Sequence, residues 1–347
     1  MRRRRIAGTA LELTEVCFGG AVIGNLYRAT TTETAVAAVD AAWDAGVRYF
    51  DTAPHYGLGL SEQRLGLALA GRPRREFTVS SKVGRLLVRN EHPGGRDTQG
   101  FDVPDDLRRQ WDWSREGVRR SVEETLRRTG LDRLDVVYVH DPDAHWRQAA
   151  DEAMPELARM RDEGLVGAIG AGMNQSAMLT RFLRETAADL VMLAGRYTLL
   201  EQDALDDVLP AARESGKSVV AAGVFNSGLL ARNRPSAELT YNYATAPPEL
   251  VARARTIAEV CERHGTSLPA AAIVFPLAHP AVVSVALGMG TPEQVTRNTA
   301  LYRQGVPDSL WAELRERGLL RADAPVPAAA PADAVSAGRL GGGRPAV

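Results

Sequence analysis

Short runs of β-branched and apolar residues alternate along this chain with longer amphipathic stretches, and that alternation constrains the fold more than any other feature. The runs are VCFGG (16–20), VRYFD (47–51), FTVSSK (77–82), DVVYVH (135–140), VGAIGA (166–171), DLVML (189–193), KSVVAAG (217–223) and VVSVAL (282–287). Helical patterns fill the gaps at Thr32–Ala45, Ser61–Ala70, Ser114–Thr129, Glu152–Glu163, Ser176–Thr186, Asp203–Glu214 and Pro248–His264, with a last helix from about Thr291. Near-continuous apolar strands, each followed by a helix, belong to parallel sheets buried on both faces. Eight such units predict an α/β protein of the closed (β/α)8, or TIM-barrel, type. An open doubly wound sheet has the same periodicity and is the alternative. A hydrophobic content of 45% supplies enough apolar side chains for so large a core.

The barrel is expected to occupy residues 1–321 as one domain. From 322 to 347 the chain turns Ala/Pro/Gly-rich and lacks the apolar content of a core, so a disordered tail is expected there. Segment 85–112 is too long for an ordinary loop between strand and helix. In a barrel it lies over the C-terminal face.

Forty-two basic residues balance 43 acidic ones, which argues against nucleic acid or an anionic membrane as partner. The two cysteines, Cys17 and Cys261, read as buried thiols rather than a disulfide. Met1–Arg5 holds four arginines, but Glu12 and Glu15 interrupt the apolar stretch that a secretory leader needs. No run approaches the length of a membrane helix. A cytoplasmic protein is expected, and oligomeric state is not legible.

Three strand ends carry polar groups: Asp51 closes VRYFD, Lys82 closes FTVSSK and His140 closes DVVYVH. In a barrel these rims converge on one mouth, and Tyr56 follows Asp51 closely enough to lean over it. A free phenol titrates near ~10, and a nearby ammonium favours its ionised form. A tyrosine so tuned passes a proton to or from a carbonyl or alcohol oxygen, whereas hydride must come from a cofactor. The bland alternative is a structural Lys82–Asp51 ion pair with His140 as a rim residue. His55 reads as a wall residue beside Tyr56. His140, Asp141, Asp143 and His145 form the one cluster with metal-ligand chemistry, and a strand-end turn accounts for them better.

Cofactor signals come later in the chain. The eighth strand runs into Gly288-Met289-Gly290 and then a capping sequence from Thr291 to Gln294. Glycines admit close backbone approach, and a helix N-terminus attracts phosphate. After strand seven, GVFNSGLL (223–230) is small and polar enough to line a pyrophosphate.

GVRYFDTAPHYG (46–57), the lysine ending FTVSSK and DVVYVHDPD (135–143) resemble the aldo-keto reductase superfamily over roughly residues 8–302. That resemblance implies a (β/α)8 barrel with NAD or NADP extended across its mouth. It implies Tyr56 as general acid/base, Lys82 and His140 as its tuning partners, and Asp51 as the ion-pair partner of Lys82. Further strings, among them HYGLGLSEQRLG, LAGRYTLLEQ and GVFNSGLL, resemble the branch of aldose 1-dehydrogenases and pyridoxal 4-dehydrogenases. The implied reaction is oxidation of a sugar or aldehyde hemiacetal, L-fucose-, D-arabinose- or D-galactose-like, to a lactone. Implied cofactor contacts are Gly20, Asp51, Asn174, Phe225, Ser227, Leu229, Gly288, Gly290, Gln294, Arg297 and Asn298. Implied substrate contacts are Tyr56, His140, Trp111 and Trp113, with core packing the equal alternative for Trp113.

The chain departs from the family at three points. Asn174 is preceded by Gly172 and Met173 where relatives carry a Ser-Asn pair; Ala222 stands where an aromatic ring commonly stacks on nicotinamide; and Gly288, Gly290 and Gln294 replace the basic residues that hold a 2′-phosphate. The last favours NAD, with Arg297 close enough to weaken the preference. An NADPH-dependent carbonyl reductase and a cofactor-binding regulatory subunit are the alternative functions.

Overall fold

A computed structural model describes residues 1–235, 240–241 and 244–327. Eight parallel strands close into a barrel in chain order: β1 (Val16–Gly19), β2 (Tyr49–Asp51), β3 (Thr78–Val83), β4 (Leu134–His140), β5 (Val166–Met173), β6 (Leu190–Ala194), β7 (Ser218–Ala222) and β8 (Val282–Gly288). The open-sheet alternative is excluded, because β8 pairs back onto β1 with Gly288 opposite Gly19. Strand ends align as a rim: Gly19 opposes Asp51, His140 opposes Gly172, and Ala194 opposes Ala222.

The surrounding helices are α1 (Thr32–Asp44), α2 (Leu60–Leu69), α3 (Arg115–Thr129), α4 (Met154–Asp162), α5 (Ser176–Glu185), α6 (Val208–Glu214), α7 (Pro248–Arg263), α8 (Leu268–Val274), α9 (Pro292–Arg303) and α10 (Asp308–Glu316). Their starts follow capping chemistry. Thr31, Ser114 and Thr291 each accept a backbone N–H three residues ahead, satisfying donors that the first turn leaves unpaired. The expected Asp203–Glu214 helix is split, because Asp203–Leu205 forms a separate 3-10 turn and Asp207 caps Val208 instead.

Two apolar layers result. Outward strand residues pack under the helices, while Tyr49, Val136, Tyr138, Leu190 and Met192 fill the barrel interior. A hairpin of Arg3–Arg5 and Glu12–Thr14, absent from the sequence reading, brings Ile6 and Leu13 into that interior cluster. Arg3, Arg4 and Arg5 are thus strand residues, and Arg4 donates to Glu15 at 2.6 Å and to the Val282 carbonyl at 2.9 Å.

Packing also continues past the expected domain end at 321. Ala324 is buried, Val326 lies on the core, and Arg315 donates to the Ala324 carbonyl at 2.6 Å. The rest of the expected tail, 328–347, lies outside the described residues.

Candidate active site

Asp51 and His140 end β2 and β4, Lys82 stands one residue before the end of β3 on the same rim, and Tyr56 leans over them from the turn that follows β2. Lys82 Nζ donates to Asp51 Oδ2 at 2.7 Å and to the Thr52 carbonyl at 2.9 Å, and it lies 4.6 Å from the centre of the Tyr56 ring. The Lys82 ammonium thus stands beside the phenol it favours in ionised form. The His140 and Tyr56 rings meet edge-on with centres 6.1 Å apart. Asp51, Lys82 and His140 are all buried. An ion pair hidden this well is costly to desolvate and is a weak source of stability. Its value lies in holding an ammonium beside a phenol.

Electrostatics differ from the sequence expectation in one respect. Burial pushes Tyr56 up to about 12, and the lowering by Lys82 only partly offsets it. At neutral pH the phenol is protonated. Burial first, then the cations Arg85 and Lys82, hold His140 well below the ordinary histidine range, so it is a neutral imidazole. His55 is likewise pushed down to about 2 by burial. Lys82 is held above its ordinary value despite burial, because Asp51 and Tyr56 both favour the charged form.

A cavity of about 710 Å³ opens above this group. Segment 85–112 forms its lid: Arg85–Arg89 and Leu107–Trp111 pair as a hairpin. Arg109, buried against Asp97, also donates to the His55 carbonyl at 2.9 Å and so ties the lid to the turn carrying Tyr56. Phe101 from the lid packs on both His55 and Tyr56. Arg85 pairs with Asp141 and sits 4.5 Å over the Trp111 ring. Trp111 lines the cavity and is 48% exposed. Trp113 stacks behind it, buried and away from the cavity. Gly84, at φ +107°, leaves room for that indole, since a Cβ there would lie 1.7 Å from the ring. Core packing therefore describes Trp113, and the substrate contact inferred for it has no support from its position.

The implied cofactor contacts fall into two groups. Asn174 and Ser227 line the cavity with Gly172, Ala194 and Ala222. Leu229 is buried in the core and Phe225 packs half-buried against it, flanking a tight turn with Asn226 and Ser227 at positive φ. Gly20, Gly288, Gly290, Gln294, Arg297 and Asn298 lie outside the cavity wall. Gly288, at the end of β8, and Gly290, just before α9, face Val22: a Cβ on Gly290 would meet it at 2.3 Å and one on Gly288 at 3.3 Å. Gln294 Oε1 accepts the Gly290 N–H at 2.7 Å, Asn298 is buried and Arg297 is exposed. Gly20 is fixed by packing, since a Cβ there would lie 2.6 Å from the Asp51 carbonyl.

The residues present fit a nicotinamide. Gly172, Ala194 and Ala222 offer a floor without large side chains beside Tyr56. The Asn226 amide donates to the Gly195 carbonyl at 3.3 Å, while its Oδ1 is buried without a partner at the cavity wall. An orphaned acceptor of that kind suits a carboxamide N–H. Sequence reading missed Asn226, as it missed Tyr27 and Phe101, which reach the cavity from loops, and Arg85, which reaches it from the lid hairpin. Among the described residues no cluster of three or more His, Cys, Asp or Glu side chains is arranged to hold a metal ion.

The sequence profile of the Aldo/keto reductase family matches residues 15–317, and the chain belongs to that family. It is accordingly an NAD(P)-dependent oxidoreductase with a (β/α)8 barrel. It is 50% identical to the D-threo-aldose 1-dehydrogenase of a Pseudomonas species, over 90% of this chain and 97% of that protein. It is 36% identical to pyridoxal 4-dehydrogenase of Microbacterium luteolum, over 92% and 98% of the two chains. Among solved structures it resembles aldo-keto reductase AKR11C1 from Bacillus halodurans, at 25% identity and TM-score 0.71 over 93% of this chain and 97% of that one. The fold also matches glycerol dehydrogenase AKR11B4 from Gluconobacter oxydans, with TM-score 0.72, 24% identity and coverage of 94% and 99%. No helix among the described residues is long and apolar enough to cross a membrane.

Proposed function

We propose that this chain oxidises an aldose at its anomeric carbon, giving a lactone, with NAD as the preferred acceptor. The observation that carries the reading is the 50% identity to D-threo-aldose 1-dehydrogenase over 97% of that protein's length. The bound oxidised nicotinamide supplies the hydride acceptor.

The protein's own residues handle the proton. Tyr56, as phenolate, accepts it from the anomeric hydroxyl as the C–H bond breaks, and the oxygen becomes the lactone carbonyl. Lys82 stabilises that phenolate, and Asp51 holds Lys82 charged and in place. Neutral His140 is a hydrogen-bond partner for the substrate oxygen without competing for the proton. Phe101, Trp111 and the lid hairpin exclude water, which strengthens each of these interactions. A phenol titrating near 12 ionises little at neutral pH, so oxidation should quicken as pH rises.

Asn174, Asn226 and Ser227 are the proposed partners of the cofactor's nicotinamide half. Gly288, Gly290 and the N-terminus of α9 are proposed for its adenosine half, with Gln294, Arg297 and Asn298 near the ribose and adenine. No cation stands among Gly288, Gly290 and Gln294, so a 2′-phosphate lacks an ion-pair partner there, and exposed Arg297 is the nearest substitute.

One observation favours a second reading: the protonated phenol is already a proton donor for carbonyl reduction. A single panel separates the two. Reduced-nicotinamide absorbance is followed with NAD+ and NADP+ on L-fucose, D-arabinose, D-galactose and pyridoxal, and with NADH and NADPH on simple aldehydes. The expected result is rapid NAD+ reduction by an aldose and at least tenfold weaker kcat/KM with NADP+. Silence on every sugar with turnover of aldehydes by NADPH would replace this reading with the reductase.

A further inference from the structure

Beneath the catalytic group lies a line of polar side chains that the reaction at Tyr56 does not touch. Asp51 Oδ2 faces Lys82 Nζ at 2.7 Å, while its Oδ1 lies 2.6 Å from Ser80 Oγ. Ser80 Oγ is 3.0 Å from the Tyr49 hydroxyl, which is 3.2 Å from the Tyr138 hydroxyl. Ser80, Tyr49 and Tyr138 are completely buried. Around the tyrosines are Cys17, Ala168, Leu190 and Met192 of the barrel interior.

Counting hydrogens fixes the direction of this line. A carboxylate only accepts, an ammonium only donates, and each hydroxyl has one hydrogen to give. Ser80 therefore donates to Asp51, Tyr49 donates to Ser80, and Tyr138 donates to Tyr49. All three dipoles point their positive ends toward the carboxylate and polarise one another. The line ends in apolar core with no outlet to water, so it cannot carry protons away. It can hold a carboxylate still.

We propose that Ser80, backed by Tyr49, is a positioning residue that fixes the Asp51 carboxylate and through it aims the Lys82 ammonium at Tyr56. The proposal rests on the reading of Tyr56 as the acid–base group. Other titratable or charged side chains facing this region are Cys17 on β1, His55 after β2, Arg85 and Arg109 on the lid, and His140 and Asp141 at the end of β4. Among the described residues Ser80 is the side chain that donates to Asp51 Oδ1. Without it, the carboxylate draws harder on Lys82, less positive field reaches the phenol, and the phenolate is disfavoured.

The test compares Ser80→Ala, Ser80→Thr, Tyr49→Phe and Tyr56→Phe with the parent. It reads pH–rate profiles, KM and kcat separately, cofactor affinity by fluorescence, and melting temperature. Ser80→Ala is expected to move the rising limb of the profile alkaline by about one pH unit and lower kcat near neutral pH about tenfold. KM and cofactor affinity should stay within about twofold, as for a loss confined to the chemical step. Ser80→Thr should restore the profile, and Tyr49→Phe should shift it in the same direction by less. Parental profiles in Ser80→Ala and Tyr49→Phe, with Tyr56→Phe inactive, would overturn the proposal and leave the acid–base reading standing. An active Tyr56→Phe would instead remove the acid–base reading itself. Should Ser80→Ala fail to fold, Tyr49→Phe decides, and a parental profile in that variant sinks the idea.

Discussion

At Tyr56 two effects of opposite sign meet. Burial disfavours the phenolate and Lys82 favours it, and burial is the larger. Lys82→Met removes the favourable effect alone. The rising limb of oxidation should then move alkaline by about 1–3 units, a ten- to thousandfold loss of phenolate at neutral pH. A pH–rate profile checks this, and an unmoved limb would separate Lys82 from the tuning. The catalytic candidates were legible because Asp51, Lys82 and His140 each follow an apolar run buried on both faces, which leaves the strand end as the place a charge can stand. Phe225 and Leu229 were not legible. Their loop has no periodicity, and it passes through two residues at positive φ, with Leu229 buried and Phe225 packed against the core. The net rise of Tyr56 also escaped the sequence, since nearby charge can be inferred from motif spacing but desolvation cannot.

The lid shows what a single element adds. Its strands contribute few buried residues, and its closure depends on Arg109, whose Nη2 donates to Asp97 Oδ2 at 3.2 Å as well as to the His55 carbonyl. Both side chains of that pair are about 5% exposed. Removing one partner of a buried pair costs about 3–5 kcal/mol. Asp97→Asn should therefore open the lid locally while the barrel persists. Hydrogen exchange is expected to quicken in 85–111 with little change in melting temperature, and KM to rise about tenfold. Unchanged exchange in that segment would mean that another contact holds the lid. Length alone marked this segment as unusual. Its hairpin was missed because LLVR and LRRQ (86–89 and 107–110) are too short and charged to read as strands.

For the whole molecule, buried histidines link folding to pH. His279 is buried, accepts the Ala281 N–H on Nδ1 at 3.2 Å, and is pushed down to about 4, first by burial and then by Arg213. His140 and His55 are depressed as well. The unfolded chain protonates these rings near pH ~6.5 and the folded one resists. Stability from neutral imidazoles is thus complete above about 6.5 and declines as pH falls, by up to about 1.4 kcal/mol per unit for each ring, until the folded value is passed. For His279 that window is about 6.5 to about 4. His279→Asn keeps an acceptor for Ala281 and removes the titration. Its melting temperature should fall less than the parent's between pH 7 and 5, and equal falls would clear His279 of the acid sensitivity.

The number and order of the barrel strands, the polar strand ends and the turn holding Tyr56 were determined by sequence, because periodicity and strand-end chemistry are local properties of a chain. Closure, the plug of Ile6 and Leu13, the inward turn of Trp113 and the hydroxyl line behind Asp51 were decided by tertiary structure. Each depends on residues far apart in sequence meeting at one place: Gly84 makes room for an indole, β8 finds β1, and Tyr49 meets both Ser80 and Tyr138. Short-range pattern carries no record of such meetings, since they come from burying the whole apolar surface at once.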